Sequence, residues 1–420
     1  MTILIRRARI IDPRSPFHMQ LQDILIREGH IERITEDIQE EADEVISIPG
    51  LHIYPGWVDV FAQGGDPGYE HRESLETLSL AAAAGGYTHV MVLPNTQPVV
   101  QHKSLVDYIR EKQVPAPVTL HPVGAVSKQT EGRELAEMYD MQRSGAVAFS
   151  DGHKPVQSAG LLIKALQYIK AFDGVIIQVP DDQTVAPHGL MHEGMVSTRM
   201  GLPGKPAMAE ELMVARDIKL TRYTDSALHF TGVSSGKSIE YIRRAKAGGI
   251  RVTASVSPMH LFFTDQDLEG YDTNLKLNPP LRGSADQQAL MEALMDGTLD
   301  CVASHHTPLD KDCKVCEFEY AKFGVIALET TAAVLGQLGI PAEKLSDILS
   351  IAPRRIFRLP EAVIRESAEA DLTLFLPDES FIFTQERIRS RSSNTPFIGK
   401  TLKGVVKGTI LRQKISLQRS

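Results

Sequence analysis

Cysteine is scarce in this chain, with three in 420 residues. That excludes a disulfide framework and suits a reducing compartment, so a cytoplasmic protein is expected. No long apolar run occurs, so no membrane span is expected. The opening segment Met1–Phe17 has no apolar stretch followed by a small-residue cleavage site, which argues against secretion. Positive charge is not in excess. Against 53 Asp and Glu stand 45 Lys and Arg, a net charge of −8 that lacks the basic surplus nucleic acid rewards. Repeats at solenoid periods and low-complexity tracts are missing as well. What is present is hydrophobic content of 42%, enough to bury a large core in one large domain plus a smaller one.

The first fifty residues alternate apolar and polar positions (ILIRRARIID, QDILIREGHIERI, ADEVISIPG), which predicts half-buried strands of a small sheet. From Pro55 the rhythm changes. Short apolar runs (GWVDVFA, THVMVLPN, VTLHPVGAV, GAVAFSD, GVIIQVP, ALHFTGV, IRVTASVSP, DCVASHH) alternate with helix-like stretches such as KSLVDYIREKQ and AGLLIKALQYIKAF. Eight such units predict a closed (β/α)₈ TIM-like barrel over 53–364. The pairs Gly85–Gly86 and Gly248–Gly249 read as helix stops. After about Arg365 strand-like runs return. Neither terminal segment is apolar enough to form a core alone, so 1–52 and 365–420 are expected to share one composite β-sandwich domain.

Catalytic groups of such barrels sit at the carboxyl ends of the strands, and there a family resemblance is carried. The segments PGWVDV, DPGYE, AAAAGGYTHV, LPNTQP, NPPLR and FGVIALET are together similar to the dihydroorotase branch of the amidohydrolase superfamily. The likeness runs from Ile10 to about Lys403. It implies a metal-dependent cyclic amidase of pyrimidine biosynthesis, and the strand ends depart from that pattern one after another.

In the family the first strand ends Asp-x-His-x-His with an Arg two residues on. Here Asp59 is kept, Phe61 and Gln63 stand at the His positions and Gly65 at the Arg. The second strand keeps Asn95, which reads equally as a turn residue or a substrate contact. The fourth keeps Asp151, where the family has a metal-bridging carboxylate, although Asp-Gly is also an ordinary turn. Val179 and Gly232 stand where the fifth and sixth strands should carry ligand histidines. His229, three residues before Gly232, is expected to face the other side of the strand and to be an ordinary packed histidine. At the eighth strand His305 replaces the family's ligand and base carboxylate, and Leu309 replaces a substrate-binding His. His260, Asn278, Arg282, His306, Phe323 and Gly324 match family segments and are expected, with Asn95, as remnants of a pocket.

Hydrolysis of this kind needs a metal that lowers the pKa of water from about 15.7 toward ~7. A full ligand set draws ~10–16 kcal/mol of apparent binding free energy at structural zinc sites, most of which one remaining carboxylate forfeits. The expectation is therefore a catalytically inactive homologue with no catalytic group intact and no cofactor, acting as a structural or regulatory partner of aspartate transcarbamoylase and forming a homo-oligomer. The alternatives are two. One is an active dihydroorotase, allantoinase or hydantoinase with zinc at a site rebuilt from Asp151 and His305, within reach of Asp59, His153, His260 and His306. The other is a sensor that holds a ligand resembling dihydroorotate or carbamoyl aspartate near Asn278 and Arg282. The remaining motif, Cys313-Lys314-Val315-Cys316, could be half a zinc site or a redox pair. With only Cys301 left to join it, it reads as chance or minor metal scavenging.

Overall fold

Alternation near the N-terminus becomes five strands: β1 (Thr2–Ile10), β2 (Leu21–Arg27), β3 (His30–Thr35), β4 (Glu44–Ser47) and β5 (His52–Pro55). These come from a computed structural model that describes residues 1–112 and 114–418; the expected helix through Gln113 and the expected domain end at 420 reach outside the described residues. Part of the sheet departs from the half-buried expectation. β2 is covered on both faces, with Ile24 and Ile26 in the main sheet core and Leu25 against Leu4 and Ile38. The buried Asp23 makes this possible: its carboxylate accepts from the backbone of Arg7 and Ile38, folding the segment after β3 back over the sheet.

The eight apolar runs after Pro55 are the parallel barrel. Its strands are β6 (Trp57–Ala62), β7 (Tyr87–Val92), β8 (Thr119–Gly124), β9 (Ala148–Phe149), β10 (Val175–Gln178), β13 (Ala227–Phe230), β14 (Val252–Val256) and β15 (Cys301–Val302), paired in that order. A two-residue pairing of β11 (Met191–His192) with β12 (Gly204–Lys205) intervenes between β10 and β13. The larger helices between and after the strands are α1 (Leu75–Ala84), α2 (Lys103–Glu111), α3 (Met138–Arg143), α4 (Ala159–Lys170), α5 (Met195–Met200), α6 (Met208–Thr224), α7 (Gly236–Ala247), α8 (Pro258–Phe262), α9 (Ser284–Asp296), α10 (Leu328–Gln337), α11 (Ala342–Ser346) and α12 (Ala352–Phe357). Local chemistry sets their ends. Ser74 and Thr77 form a capping box that starts α1, and the chain leaves it at Gly86, φ +88°, where a Cβ would meet the Trp57 ring. None of the described helices is long and apolar enough to cross a membrane.

The ring closes through His306, which bridges Ala62 on one side and Val325 on the other, with the Gln63 amide donating to its carbonyl at 2.9 Å. Inside, Val58, Val60, Met91, Val123 and Ile177 form an apolar stack closed by Phe357 of α12. Each such side chain contributes ~1.5–3 kcal/mol on full burial.

After the barrel come β16 (Asp371–Ile382), β17 (Thr401–Leu411) and β18 (Lys414–Leu417). They join the N-terminal strands in one sheet, in the order β18-β17-β16-β5-β1-β2-β3 with β4 on the other side of β1. β5 carries this sheet to Pro55, past the expected boundary at 52, because its residues pair with Leu372–Phe375 of β16. Between β16 and β17, Phe397 packs on Phe262 and Phe263 of the barrel side.

Asp371 is the junction between the two domains. Its carboxylate takes the Arg354 guanidinium at 2.7 Å and the His89 ring at 3.0 Å, and Arg354 also donates to the carbonyl of Gly56. Burial alone would push the Asp371 carboxyl up, but His89 and Arg354 hold it well below the usual carboxylate range. A depressed carboxyl lends stability above its unfolded value of ~3.9 that disappears as pH falls toward the folded value. Asp371→Asn should therefore cost about 3–5 kcal/mol at pH 7, because the buried Arg354 loses its counter-charge. Urea unfolding at pH 7 and in acid checks both parts: the variant should start weaker and lose less between about pH 4 and pH 2 than the wild type.

Candidate functional site

At the carboxyl ends of the barrel strands lies a cavity of about 530 Å³, lined by Gln63, Arg72, His153, Lys154, Ser257, His260, Leu277, Asn278, His305, Thr307, Leu309, Cys313, Lys322, Phe323, Gly324 and Val325. Gln63, His260, Asn278, His305, Phe323 and Gly324 are thus brought together from the expected set. Asp59, Asn95, Asp151, Arg282 and His306 are not in this lining, and each has a physical reason.

Asp59 is fully buried below the floor and accepts from the Ser304 amide at 2.7 Å and the Phe61 amide at 3.3 Å, tying the first strand to the last. Burial pushes its carboxyl up. Asp151 is turned away from the cavity. Its two oxygens accept from the amides of Val126 and Ser127 and from the Ser127 hydroxyl, and burial raises its pKa to about 6. Asn95 donates to the Asp151 carbonyl at 3.0 Å and leaves its own Oδ1 unpartnered. That oxygen would lie 1.6 Å from a Cβ at position 152, so Gly152 is the only residue that fits beside it.

Arg282 does not reach the mouth. It donates to the Ser234 hydroxyl and the Lys205 carbonyl and lies 3.7 Å from the buried Glu210 carboxylate. The expectation that it would hold a ligand fails because that charge is already engaged. His306 points to Glu73 at 3.2 Å, whereas its neighbour His305, with its backbone at φ +52°, lines the cavity. Its Nδ1 accepts from the Ala327 amide, so it braces the barrel seam.

The positions that depart from the dihydroorotase pattern are filled by packing. Phe61 and Val179 belong to the apolar barrel interior. The His305 ring lies 4.5 Å from the Phe61 ring, and a Cβ on Gly232 would approach its Cε1 to 2.7 Å, so His305 occupies the space a side chain at 232 would need. Gly65, φ +67°, has the Glu73 carbonyl 2.4 Å from where a Cβ would be, which leaves no room for a longer residue in this turn. Gln63 donates weakly to the Asn95 carbonyl at 3.4 Å.

A polar chain descends from His305 into the barrel. The His305 Nε2 meets the Thr231 hydroxyl at 2.9 Å, Thr231 accepts from Ser255, and Ser255 and Thr253 hold the two nitrogens of His229. His229 is packed, as expected, but it points into this chain beside Phe357 rather than standing alone. On the rim, the His153 Nε2 meets Thr307, the His260 Nε2 accepts from nothing but faces the Pro279 carbonyl at 3.0 Å as a donor, and the His260 Nδ1 has no partner. Asn278 accepts from Lys205 and donates to Asp181, which also pairs with Lys205 at 2.7 Å. Sequence reasoning missed Lys205, Arg72, Lys154 and Lys322; the last two arrive on loops with no periodic signal, yet with Arg72 they give the lining three cations and no carboxylate.

The fold is that of the hydantoinase-type amidohydrolases. An L-hydantoinase (dihydropyrimidinase) from Arthrobacter aurescens superimposes with a TM-score of 0.86 over 100% of this chain and 96% of the other, at 22% identity. A D-hydantoinase gives 0.83 at 20% identity, over 100% and 95%. A family model described as dihydro-orotase-like matches residues 50–238. Proteins named dihydroorotase from Pelotomaculum thermopropionicum and Syntrophus aciditrophicus are each 39% identical, over 100% of this chain and 99% and 100% of theirs. The chain belongs to the dihydroorotase family of the amidohydrolase superfamily.

Burial keeps the interior imidazoles neutral. It lowers His229 to about 3 and His260 to about 4. A folded pKa below the unfolded ~6.5 means that the unfolded chain binds protons the folded chain refuses, so stability falls as pH drops from about 6.5. His229→Gln should remove about 2 kcal/mol of the wild type's loss between pH 7 and pH 5, read by urea unfolding. Ring ¹⁵N shifts should show both histidines neutral at pH 5; a protonated ring there would overturn this assignment.

Proposed function

We propose that this chain is a non-catalytic dihydroorotase homologue of pyrimidine biosynthesis, cytoplasmic and homo-oligomeric, whose role is to support aspartate transcarbamoylase as a structural or regulatory partner. The observation that carries the reading is the seat of His305, pressed on Phe61 and filling the gap over Gly232. The family implies zinc, and the donor set here does not fit a zinc pair. Phe61, Val179 and Gly232 offer no side-chain donor atom, Gln63 offers only a neutral amide, and the Asp151 oxygens already take three donors. Zinc needs a set of deprotonated N, O or S ligands around one point. A site rebuilt from Asp151 and His305 would require the first to abandon those donors, and the Nε2 of the second is already held by Thr231.

A second reading draws on the cavity itself. Lys154 and Lys322 line it with no carboxylate in the lining, and the His260 Nδ1 is unpaired there, which favours a sensor for an anionic pathway metabolite such as dihydroorotate or carbamoyl aspartate. Arg72 is paired with Asp310 at 2.9 Å and Arg282 lies against Glu210, so neither has a part in it.

Two measurements decide. Purified chain supplied with Zn²⁺ should leave dihydroorotate and carbamoyl aspartate unconverted, and should co-migrate with aspartate transcarbamoylase on a sizing column. Turnover that Asp151→Ala abolishes, together with stoichiometric zinc, would make the chain an active hydrolase instead. Separate migration of the two proteins would remove the partner role. Calorimetry with the two metabolites tests the sensor, and silence at millimolar concentration would end it.

A further inference from the structure

The loop after β15 walls the cavity with Leu309, Cys313, Lys322 and Phe323, and its inner side is unusual. Two lysines lie inside it, Lys276 at 1% and Lys314 at 6% exposure. The Lys276 ammonium donates to the carbonyls of Phe318 and Glu319, and the Lys314 ammonium to those of Thr273 and Lys322. Each cation thus sits in a cage of carbonyls. Burial lowers Lys314 to about 7, while Asp272, Cys313 and Cys316 act to raise it, and Cys316 acts likewise on Lys276. Cys316 is therefore the one thiol near both buried lysines.

The two cysteines are also close to one another. Residues 311–313 form a single 3₁₀ turn, the Cys313 amide donates to the Asp310 carbonyl, and the chain curls so that the Cys316 thiol folds back to 3.9 Å from the Cys313 carbonyl oxygen. Both side chains are half-buried and open to small reagents, whereas Cys301 is sealed in the barrel interior. Thiolate is the form that attacks disulfides.

We propose that Cys313 and Cys316 are a dithiol site for exchange with small-molecule disulfides of the glutathione type. The Cys313 thiolate attacks one sulfur of glutathione disulfide, forming a mixed disulfide and releasing one glutathione thiolate. The Cys316 thiolate then attacks the Cys313 sulfur, the mixed bond breaks, and the second glutathione thiolate leaves. Two protein thiols become one disulfide, and their two protons and two electrons end on two molecules of glutathione. The site lies in the cavity wall and does not depend on whether the cavity is catalytic.

The test equilibrates the full chain in mixtures of reduced and oxidised glutathione, traps free thiols with an alkylating reagent, and weighs the peptide that spans both cysteines. The expected result is that both labels vanish together, leaving a peptide two hydrogens lighter, while Cys301 stays unlabelled until the protein is denatured. Cys313→Ser should instead stop at a glutathione adduct on Cys316. Full labelling of both thiols at every glutathione ratio, or a wild type that halts at a mixed disulfide, would overturn the proposal.

Discussion

Everything at the mouth of this barrel hangs on the seam at His306. The residue pairs with Ala62 and Val325, accepts from the Gln63 amide, and sends its ring outward to Glu73. Glu73 in turn accepts from the Ser390 hydroxyl and the Arg391 amide, so the last loop before β17 is tied to the same point. Below it Asp59 holds the Ser304 amide. A barrel closes only when its first and last strands meet in register. Once they meet here, Phe61 and Gln63 from one strand and His305 and Thr307 from the other have fixed neighbours. The composition of the cavity floor follows from that meeting.

What the floor contains is neutral. His229, His260 and His305 all sit with depressed pKa values, because burial disfavours the charged ring. Charge enters the cavity only on its rim, through Arg72, Lys154 and Lys322. Neutral rings can exchange single hydrogen bonds with hydroxyls, as the run from His305 through Thr231 and Ser255 to His229 does, without the desolvation penalty of a buried ion. The barrel interior accordingly mixes an apolar stack with one satisfied polar chain.

Much of this was legible in the chain. Eight β-rich runs spaced by helical stretches give a closed barrel almost by counting, and motifs such as PGWVDV and NPPLR carry the family directly. The identity of each strand-end residue could be read, so the positions of Phe61, Gln63, Val179, Gly232 and His305 relative to one another were foreseeable. Engagement was not. Arg282 is taken up by Glu210 and Ser234, partners far away in sequence that no periodicity marks. Asp371 meets His89 across 282 positions, and the cations of the rim come from loops. Local pattern predicts which face a residue is on; it does not say which distant group has already claimed it.

The residues at the strand ends also stabilise the scaffold through their packing. In a hydrolase the base of the mouth must keep polar donors converged on one point, an arrangement that costs stability until an ion fills it. Phe61 and Val179 instead extend the apolar stack upward, each worth ~1.5–3 kcal/mol of burial. Gly232 makes room for the His305 ring, and that ring closes the polar chain at its upper end. The three changes are mutually consistent: a histidine at 232 would collide with His305, and a polar group at 61 would take the packed face away from it. Restoring any one donor alone therefore meets the other two as a steric or desolvation barrier, so the arrangement is held in place by packing that has its own stability.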